Sequence, residues 1–131
     1  MKTKEIIQRL CLFLLVLVPT MPAGAEDIRI GSKADWQTFC NRVNGGEVTL
    51  NAEMTDNVDL GTDIMMVGIN NDYSGTFDGR GYTLSFNWTN TGERTAPFKY
   101  VNGATIKNLR TQGKIASNSF ALSGLIYRVA G

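Results

Sequence analysis

Carboxylates are the first residues of this chain to consider as acids, bases or metal ligands, because its 131 residues include no histidine. Asp72 and Asp78 lie six positions apart, and paired carboxylates serve as general acid and base in polysaccharide-cleaving enzymes. Asp78 is followed by Gly79, however, and such a pair indicates a turn in which the aspartate bonds to its own backbone. We therefore assign no catalytic residue. Two carboxylates meeting on one outward strand face would favour an enzyme, and their absence would favour a non-catalytic module.

The lack of histidine excludes several other chemistries. Ser-His-Asp and Cys-His catalysis, HExxH metallopeptidases and His-ligated zinc all require that residue. Asp56, Asp59 and Asp63 form an acidic spacing, but this stretch lacks the glycine and oxygen-ligand pattern of a calcium loop. Solvated loop charge explains these aspartates, so the sequence indicates no metal site and no cofactor.

Cys40 is the one cysteine that remains if residues 1–25 are removed, since the other is Cys11. A single cysteine cannot form an internal disulfide. It is either a reactive thiol, a partner in an intermolecular disulfide, or a small buried apolar side chain, and free cysteines are among the most buried residues. We predict that Cys40 is buried.

Aromatic side chains form a further candidate surface, and a glycan is the ligand they would suit. Five residues could contribute to a platform that stacks on sugars: Tyr73, Tyr82, Trp88, Tyr100 and Tyr127. Tyr82, Leu84, Phe86 and Trp88 alternate with period 2, which indicates one face of a strand, and such a face is more often core. The alternation therefore favours core over platform for this face.

The N-terminal segment, 1–25, has the order of a secretory signal peptide. Lys2, Lys4 and Arg9 precede an unbroken apolar run, LCLFLLVLV at 10–18, and Ala23-Gly24-Ala25 offers small residues for cleavage before Glu26. Nine apolar residues are too few for a membrane span, which needs about 20. We predict an exported chain, 26–131, that reaches the periplasm, the cell surface or the medium and carries no membrane span.

The predicted mature chain is almost neutral. Removal of residues 1–25 takes away three of the 13 basic residues and one of the 12 acidic residues, which leaves a net charge of −1. Since neither sign dominates, a basic nucleic-acid binder is excluded.

One helix is predicted, over residues 32–44. Ser32 and Asp35 have the spacing of a capping box. Asn44-Gly45-Gly46 ends the helix, because these residues accept a positive φ. One apolar stripe follows helical spacing and should dock on a β structure as a lid: Trp36, Phe39, Cys40 and Val43.

From Glu47 onward, short apolar runs alternate with turn residues, and no crossover helix follows, so this region is predicted to be all-β. APFKYVNG at 96–103 resembles SGLIYRVAG at 123–131. The alignment pairs Phe98 with Leu125 and Tyr100 with Tyr127 at an offset of 27, and Val101 with Val129 at 28. A repeat of this length predicts one rung of a solenoid.

GTFDGRGYTL at 75–84, followed by APFKYVNGATIKNL at 96–109, resembles the GLUG-type repeat regions of exported bacterial proteins. Their typical pattern reads F-x-G-T-F-D-G-N-G-x-T-I, then G-L-F-G-x-V, then A-x-I-K-N-L, and the likeness covers most of 32–131. It implies a short right-handed parallel β-helix with an N-terminal capping helix. It also implies a surface or secreted, adhesin-like protein that binds a glycan or a host surface and has no catalytic role. The alternative is a fragment of a β-helix enzyme acting on polysaccharide.

The resemblance also assigns places to individual residues. Gly79, Gly81 and Gly103 would form corners, and Asn102 and Asn108 would bond along the helix axis. Arg80 replaces the usual asparagine of the turn, and Pro97 replaces a glycine, which suggests a corner there too. Six residues would point inward: Phe77, Leu84, Phe98, Val101, Ile106 and Leu109.

Coil length and the last residues predict how the module ends. At roughly 20–27 residues per coil, 47–131 would supply three to four coils. The last residues of the sequence, GLIYRVAG, are largely apolar and contain no capping element. We therefore expect 26–131 to be the N-terminal part of a longer solenoid, or else to associate end to end with another copy.

Overall fold

A computed structural model describes residues 27–89, 91–92, 94–118 and 122–131. The signal peptide predicted for residues 1–25 lies outside them. Within these ranges the chain forms nine strands and one helix, in this order: β1 (Asp27–Ile30), α1 (Lys33–Asn44), β2 (Asn51–Met54), β3 (Val58–Asp59), β4 (Thr76–Asp78), β5 (Thr83–Thr89), β6 (Phe98–Asn102), β7 (Thr105–Lys107), β8 (Arg110–Ala116) and β9 (Ile126–Ala130).

The strands form three sheets in which every pairing is parallel. Sheet A has the order β1-β2-β4-β7, sheet B the order β3-β5-β8, and sheet C pairs β6 with β9. Strands β4, β5 and β6 lie in sheets A, B and C, and β7, β8 and β9 repeat that order. The described chain is thus mostly strand with one short helix, in agreement with the all-β prediction.

The length of chain between paired strands varies from layer to layer. Asp27 faces Asn51, whereas Phe77 faces Ile106, and the second pair is further apart in the sequence than the first. The separation of Phe77 from Ile106 also exceeds the coil length predicted from the sequence. Loops between sheets can lengthen without disturbing the hydrogen-bonded pairs, because added loop residues cost little free energy.

The register of sheet C corrects part of the predicted repeat. Tyr100 faces Arg128 and Val101 faces Val129, so the offset between the two strands is uniform. The alignments of Phe98 with Leu125 and of Tyr100 with Tyr127 were therefore wrong by one residue as backbone pairs. Two consecutive half-buried residues stand between buried Phe98 and Val101, and this departure from strict alternation hides the register from a side-chain comparison.

Helix α1 begins and ends where the sequence predicted. The Ser32 hydroxyl accepts the N–H of Asp35 at 3.2 Å, and the Asp35 carboxylate accepts the N–H of Gly31, one residue before the partner of a capping box. At the other end Gly45 stays helical, and Gly46 is the residue that takes a positive φ, 121°. No helix in the described part of the chain is both long and apolar enough to cross a bilayer.

The helix docks on an aromatic core. Its predicted stripe is buried throughout: Trp36, Phe39, Cys40 and Val43. The Trp36 ring lies 5.9 Å from the ring of Phe77 and 5.8 Å from that of Phe98, edge to face in both cases. Its indole N–H donates to the Met65 carbonyl at 3.0 Å. Buried aromatic area and a satisfied polar atom together hold the helix in place.

The inward residues fall into two groups. Phe77, Leu84, Phe98 and Val101 are buried, as the resemblance implied. Ile106 and Leu109 are only half-buried. Strand β7, which contains Ile106, is the last strand of sheet A, so no further strand of the described chain covers this end of the core.

The three predicted corner positions are glycines for two different physical reasons. Gly81 and Gly103 have positive φ values of 83° and 68°. Gly79 is required by crowding instead, because a Cβ there would lie 2.6 Å from the Asn108 carbonyl oxygen. Pro97 directly precedes β6 at a bend, as expected for a corner.

Side-chain hydrogen bonds between paired strands differ from the predicted amide pairs. The Asn108 amide donates to the Asp78 carboxylate at 3.1 Å rather than to another amide, and Asn102 is exposed. Two further asparagines, Asn51 and Asn57, each accept a backbone N–H from the following layer at 2.9 Å.

Candidate functional site

The two aspartates considered as a catalytic pair have different partners. The Asp72 carboxylate lies 3.9 Å from the Arg128 guanidinium, on the side of sheet C. Asp78 ends β4 in sheet A and contacts Asn108. Their closeness in the sequence therefore does not create an acid–base pair.

Asp78 has another carboxylate as its neighbour, Glu53, which sequence reasoning missed. Strands β2 and β4 pair with Glu53 opposite Asp78. The residues before them, Ala52 and Phe77, are buried, so Glu53 and Asp78 share the outward face. Neighbouring strands lie about 4.8 Å apart. Two carboxylates thus meet on one outward strand face, the arrangement that favours an enzyme.

Both carboxylates are held by donors. Glu53 lies between two guanidinium groups, with Arg29 at 3.3 Å from one oxygen and Arg80 at 2.9 Å from the other. One oxygen of Asp78 accepts the backbone N–H of Arg80 at 2.9 Å and the amide of Asn108 at 3.1 Å. Each carboxylate is therefore in contact with two donor groups.

The electrostatics of Asp78 argue against a proton-donor role. The hydrogen bond from Asn108 holds the pKa of Asp78 below its usual value, and the Arg80 N–H and the charges of Lys107 and Arg80 add to this effect. A glycosidase needs one carboxyl group whose pKa is raised so that it stays protonated. Asp78 is instead an ionised acceptor near neutral pH.

This lowered pKa predicts how acid affects the fold. Because the pKa of Asp78 is lower when folded than the ordinary value of 3.8, its contribution to stability is present above pH 3.8 and is lost as the pH falls through the folded pKa. We expect Asn108→Ala to reduce the loss of stability below pH 4, as measured by urea unfolding between pH 2 and 7. Asn102→Ala, which removes another exposed corner amide, is the control. If Asn108→Ala lost as much stability below pH 4 as the unchanged protein does, the role assigned to the hydrogen bond between Asn108 and Asp78 would be contradicted.

A cleft opens beside this carboxylate, where sheet A turns into sheet B. It has a volume of about 850 Å³, and we call it the corner cleft; its lining comprises Asp78, Arg80, Gly81, Asn108, Leu109 and Arg110. Two smaller depressions, of about 260 and 280 Å³, adjoin it through Asp78 and Arg80 and meet at Glu53. The polar residues of sheet A thus form one continuous surface.

A second surface is aromatic and lies on sheet C. The rings of Tyr100 and Tyr127 are 5.9 Å apart at an interplanar angle of 68°, and both residues are half-buried. The Arg128 guanidinium lies 4.4 Å from the centroid of the Tyr100 ring, and the Lys99 ammonium lies 5.4 Å from it. We call Tyr100 and Tyr127 the tyrosine pair.

The other predicted platform aromatics do not join the tyrosine pair. Tyr73 and Trp88 are fully buried, and their polar atoms donate to the carbonyls of Leu50 and Asp63, both at 2.8 Å. Tyr82 is half-buried and borders the 280 Å³ depression instead. Core was therefore the right interpretation for the face that contains Trp88, and the platform is reduced to two residues.

The acidic spacing of the β2–β4 connection has local roles. Asp56 and Asp59 accept backbone N–H groups of their own turns, and Asp63 forms an ion pair with Lys33. Across the described ranges, no group of three or more potential ligands is placed to hold a metal ion.

Cys40 is buried, with 3% of its surface exposed, as predicted. Burial also raises the pKa of its thiol, so the reactive thiolate is rare at neutral pH. In a Cys11→Ser background, we expect thiol reagents to label the native protein more slowly than the urea-unfolded protein, on the order of 100-fold or more. Equal rates, measured by mass spectrometry over time, would show that the thiol is accessible.

The fold and its surfaces define a class: a mostly-β protein of three parallel sheets, with a charged corner cleft beside sheet A and a tyrosine pair on sheet C. Comparison of the chain with protein-family models, with curated proteins and with solved structures finds no match.

Proposed function

We propose that this chain is an exported, non-catalytic β-helix module of a surface or secreted, adhesin-like protein. One observation carries the proposal: all strand pairings are parallel, and the strands from β4 to β9 pass twice through sheets A, B and C in that order. A chain that passes repeatedly through the same parallel sheets winds as a helix of strands. Parallel crossovers are almost always right-handed, which supports the handedness implied by the resemblance.

The state of the carboxylates supports a binding role over a catalytic one. Glu53 is ion-paired on both oxygens, and Asp78 is held ionised. Asp78 is not placed in an apolar pocket of the kind that keeps a carboxylic acid protonated. The surface therefore offers fixed charges and hydrogen-bond groups for recognition.

A glycan is the ligand class that suits the tyrosine pair. Aromatic rings present apolar faces to the C–H groups of sugars, and the phenolic hydroxyls remain available for hydrogen bonds. The cationic groups of Lys99 and Arg128 brace the Tyr100 ring, which reduces the freedom lost on binding.

A binding experiment with the full chain tests this function. We expect the protein to bind members of a glycan array, and Tyr100→Ala and Tyr127→Ala each to weaken binding about tenfold. Tyr82→Ala is the matched control, because Tyr82 is also half-buried but lies outside the pair. Absence of glycan binding, or equal weakening by all three variants, would contradict the proposal.

Export is tested separately: N-terminal sequencing of secreted material should begin near Glu26.

A polysaccharide-cleaving enzyme is the second candidate, and the neighbouring positions of Glu53 and Asp78 favour it. Incubation with a panel of polysaccharides, followed by measurement of reducing ends and unsaturated products, separates the two functions. The non-catalytic proposal expects no release above background. Release that is abolished by Asp78→Asn and by Glu53→Gln, with binding retained, would make the enzyme the correct function.

A further inference from the structure

The corner cleft is bordered by two cationic side chains. Arg80 and Arg110 both line it. Arg80 donates to Glu53 through one nitrogen, and a guanidinium has five N–H donors, so others remain for a ligand. Arg110 is exposed, and the ion pairs found among the described residues involve other cations. Two guanidinium groups thus border one open cleft.

The backbone of Arg80 is a second and independent observation. Its φ is +51°, in the left-handed region that glycine and asparagine occupy more readily than arginine. Asn108 occupies the equivalent corner of the next layer with a φ of +54°, where its side chain suits the conformation. Unfavourable backbone conformations of this kind concentrate at functional sites. The long cationic side chain at position 80 therefore stands on a backbone conformation that carries a local cost.

The remaining lining residues select the kind of anion. Asp78 is ionised and accepts hydrogen bonds, the oxygen of the Asn108 amide can also accept, and Leu109 offers apolar surface. A compact polyanion such as phosphate would be repelled by Asp78. A sugar acid carries one carboxylate, several hydroxyl donors and an apolar ring face at separate positions, which match the guanidiniums, the acceptors and Leu109.

We propose that the corner cleft binds carboxylated saccharides, the uronate-containing glycans. The inference rests on the proposed binding function and names the ligand class of the corner cleft. The carboxylate of the sugar pairs with Arg110 and Arg80, and its hydroxyls donate to Asp78 and Asn108. The guanidinium contact with the sugar carboxylate is charge-assisted, and so is the hydrogen bond from a hydroxyl to the ionised Asp78, whereas the bond to the Asn108 amide oxygen is neutral.

Titration calorimetry of the full chain with tetragalacturonate tests the cleft, with galactotetraose as the probe that lacks only the carboxylates. We expect binding of the acidic tetramer and no heat from the neutral one. Arg110→Gln should weaken binding at least tenfold. Lys114→Gln is the matched control, an exposed cation on the same strand outside the cleft, and should change affinity less than twofold.

The variant Arg80→Asn distinguishes a role of Arg80 in ligand binding from a role in stabilising the fold. Asparagine suits the left-handed backbone, and an exposed ion pair contributes little to stability, so the urea midpoint should stay the same or rise. Affinity for tetragalacturonate should fall at least tenfold. A lowered midpoint with unchanged affinity would assign Arg80 a structural role and overturn its part in the site.

Three results would overturn the proposal as a whole. They are no binding of tetragalacturonate at millimolar concentrations, equal weakening by Arg110→Gln and Lys114→Gln, and competition by inorganic phosphate at concentrations similar to the sugar. Glycan binding that still depends on Tyr100 and Tyr127 would then leave the adhesin-like function in place, so the two failures are distinguishable.

Discussion

Replacing Phe39 by aspartate is expected to abolish the stable fold. The Phe39 side chain is fully buried, and its ring lies 5.9, 5.5 and 5.6 Å from the rings of Trp36, Tyr73 and Phe77. Removal of a buried phenylalanine costs about 3–5 kcal/mol. An unpaired buried carboxylate adds several more, unless it is protonated. Domains of this kind have a free energy of unfolding of about 5–15 kcal/mol, so most or all of it is lost.

The matched control is Gln37→Asp, which places the same charge on the exposed face of the same helix. Its midpoint should stay close to that of the unchanged protein. Urea unfolding followed by tryptophan fluorescence reports directly on the contact, because Trp36 packs against Phe39. A Phe39→Asp protein that unfolds at the original midpoint would mean that helix α1 is not docked on the strands.

Gly113→Ala is expected to have the second-largest effect. Strand β8 places Gly113 opposite Phe86, and a Cβ built at Gly113 would lie 1.8 Å from the Phe86 carbonyl oxygen. Because this oxygen belongs to the backbone of a paired strand, relief requires β5 and β8 to separate locally. The glycine also has a φ of +135°, which alanine rarely adopts. We expect a loss of about 3 kcal/mol or more in the free energy of unfolding.

Gly46→Ala controls for the backbone conformation. Gly46 has a similar φ of +121°, but nothing lies within 4 Å of the position of its Cβ. Its loss should be about 1–2 kcal/mol, the cost of the positive φ alone. Equal losses in the two variants, measured by urea unfolding, would show that conformation rather than the contact between β5 and β8 limits position 113.

The local sequence pattern was sufficient to predict those elements that depend on residues close together in the sequence. The helix at 33–44 followed from Ser32, the buried stripe and the glycines after Asn44, since caps and periodicity act within a few residues. Burial of Cys40 followed from its place on that stripe. The alternation from Leu84 to Trp88 identified a buried strand face for the same reason.

The sequence indicated some residues of the candidate surfaces by their chemical type, but it did not show which residues lie next to them. Tyr100 and Tyr127 were among the aromatics that could stack on sugars, and Asp78 was a candidate carboxylate. Tyr73 could not be separated from them, because its hydroxyl donates to a carbonyl that is distant in the sequence, at Leu50. The charged groups that lie around Asp78 could not be predicted from the sequence either.

Only the tertiary structure decided which of these residues meet. Glu53 faces Asp78, and Tyr100 faces Arg128, although the members of each pair are far apart in the sequence. Such contacts depend on strand register, and a shift of one residue would turn each side chain to the opposite face. Register is set by backbone hydrogen bonds between separate layers and by loop lengths that vary from layer to layer. Local periodicity indicated buried faces such as that of Leu84 and Trp88, whereas the pairing of strands that are distant in the sequence determines which residues become neighbours.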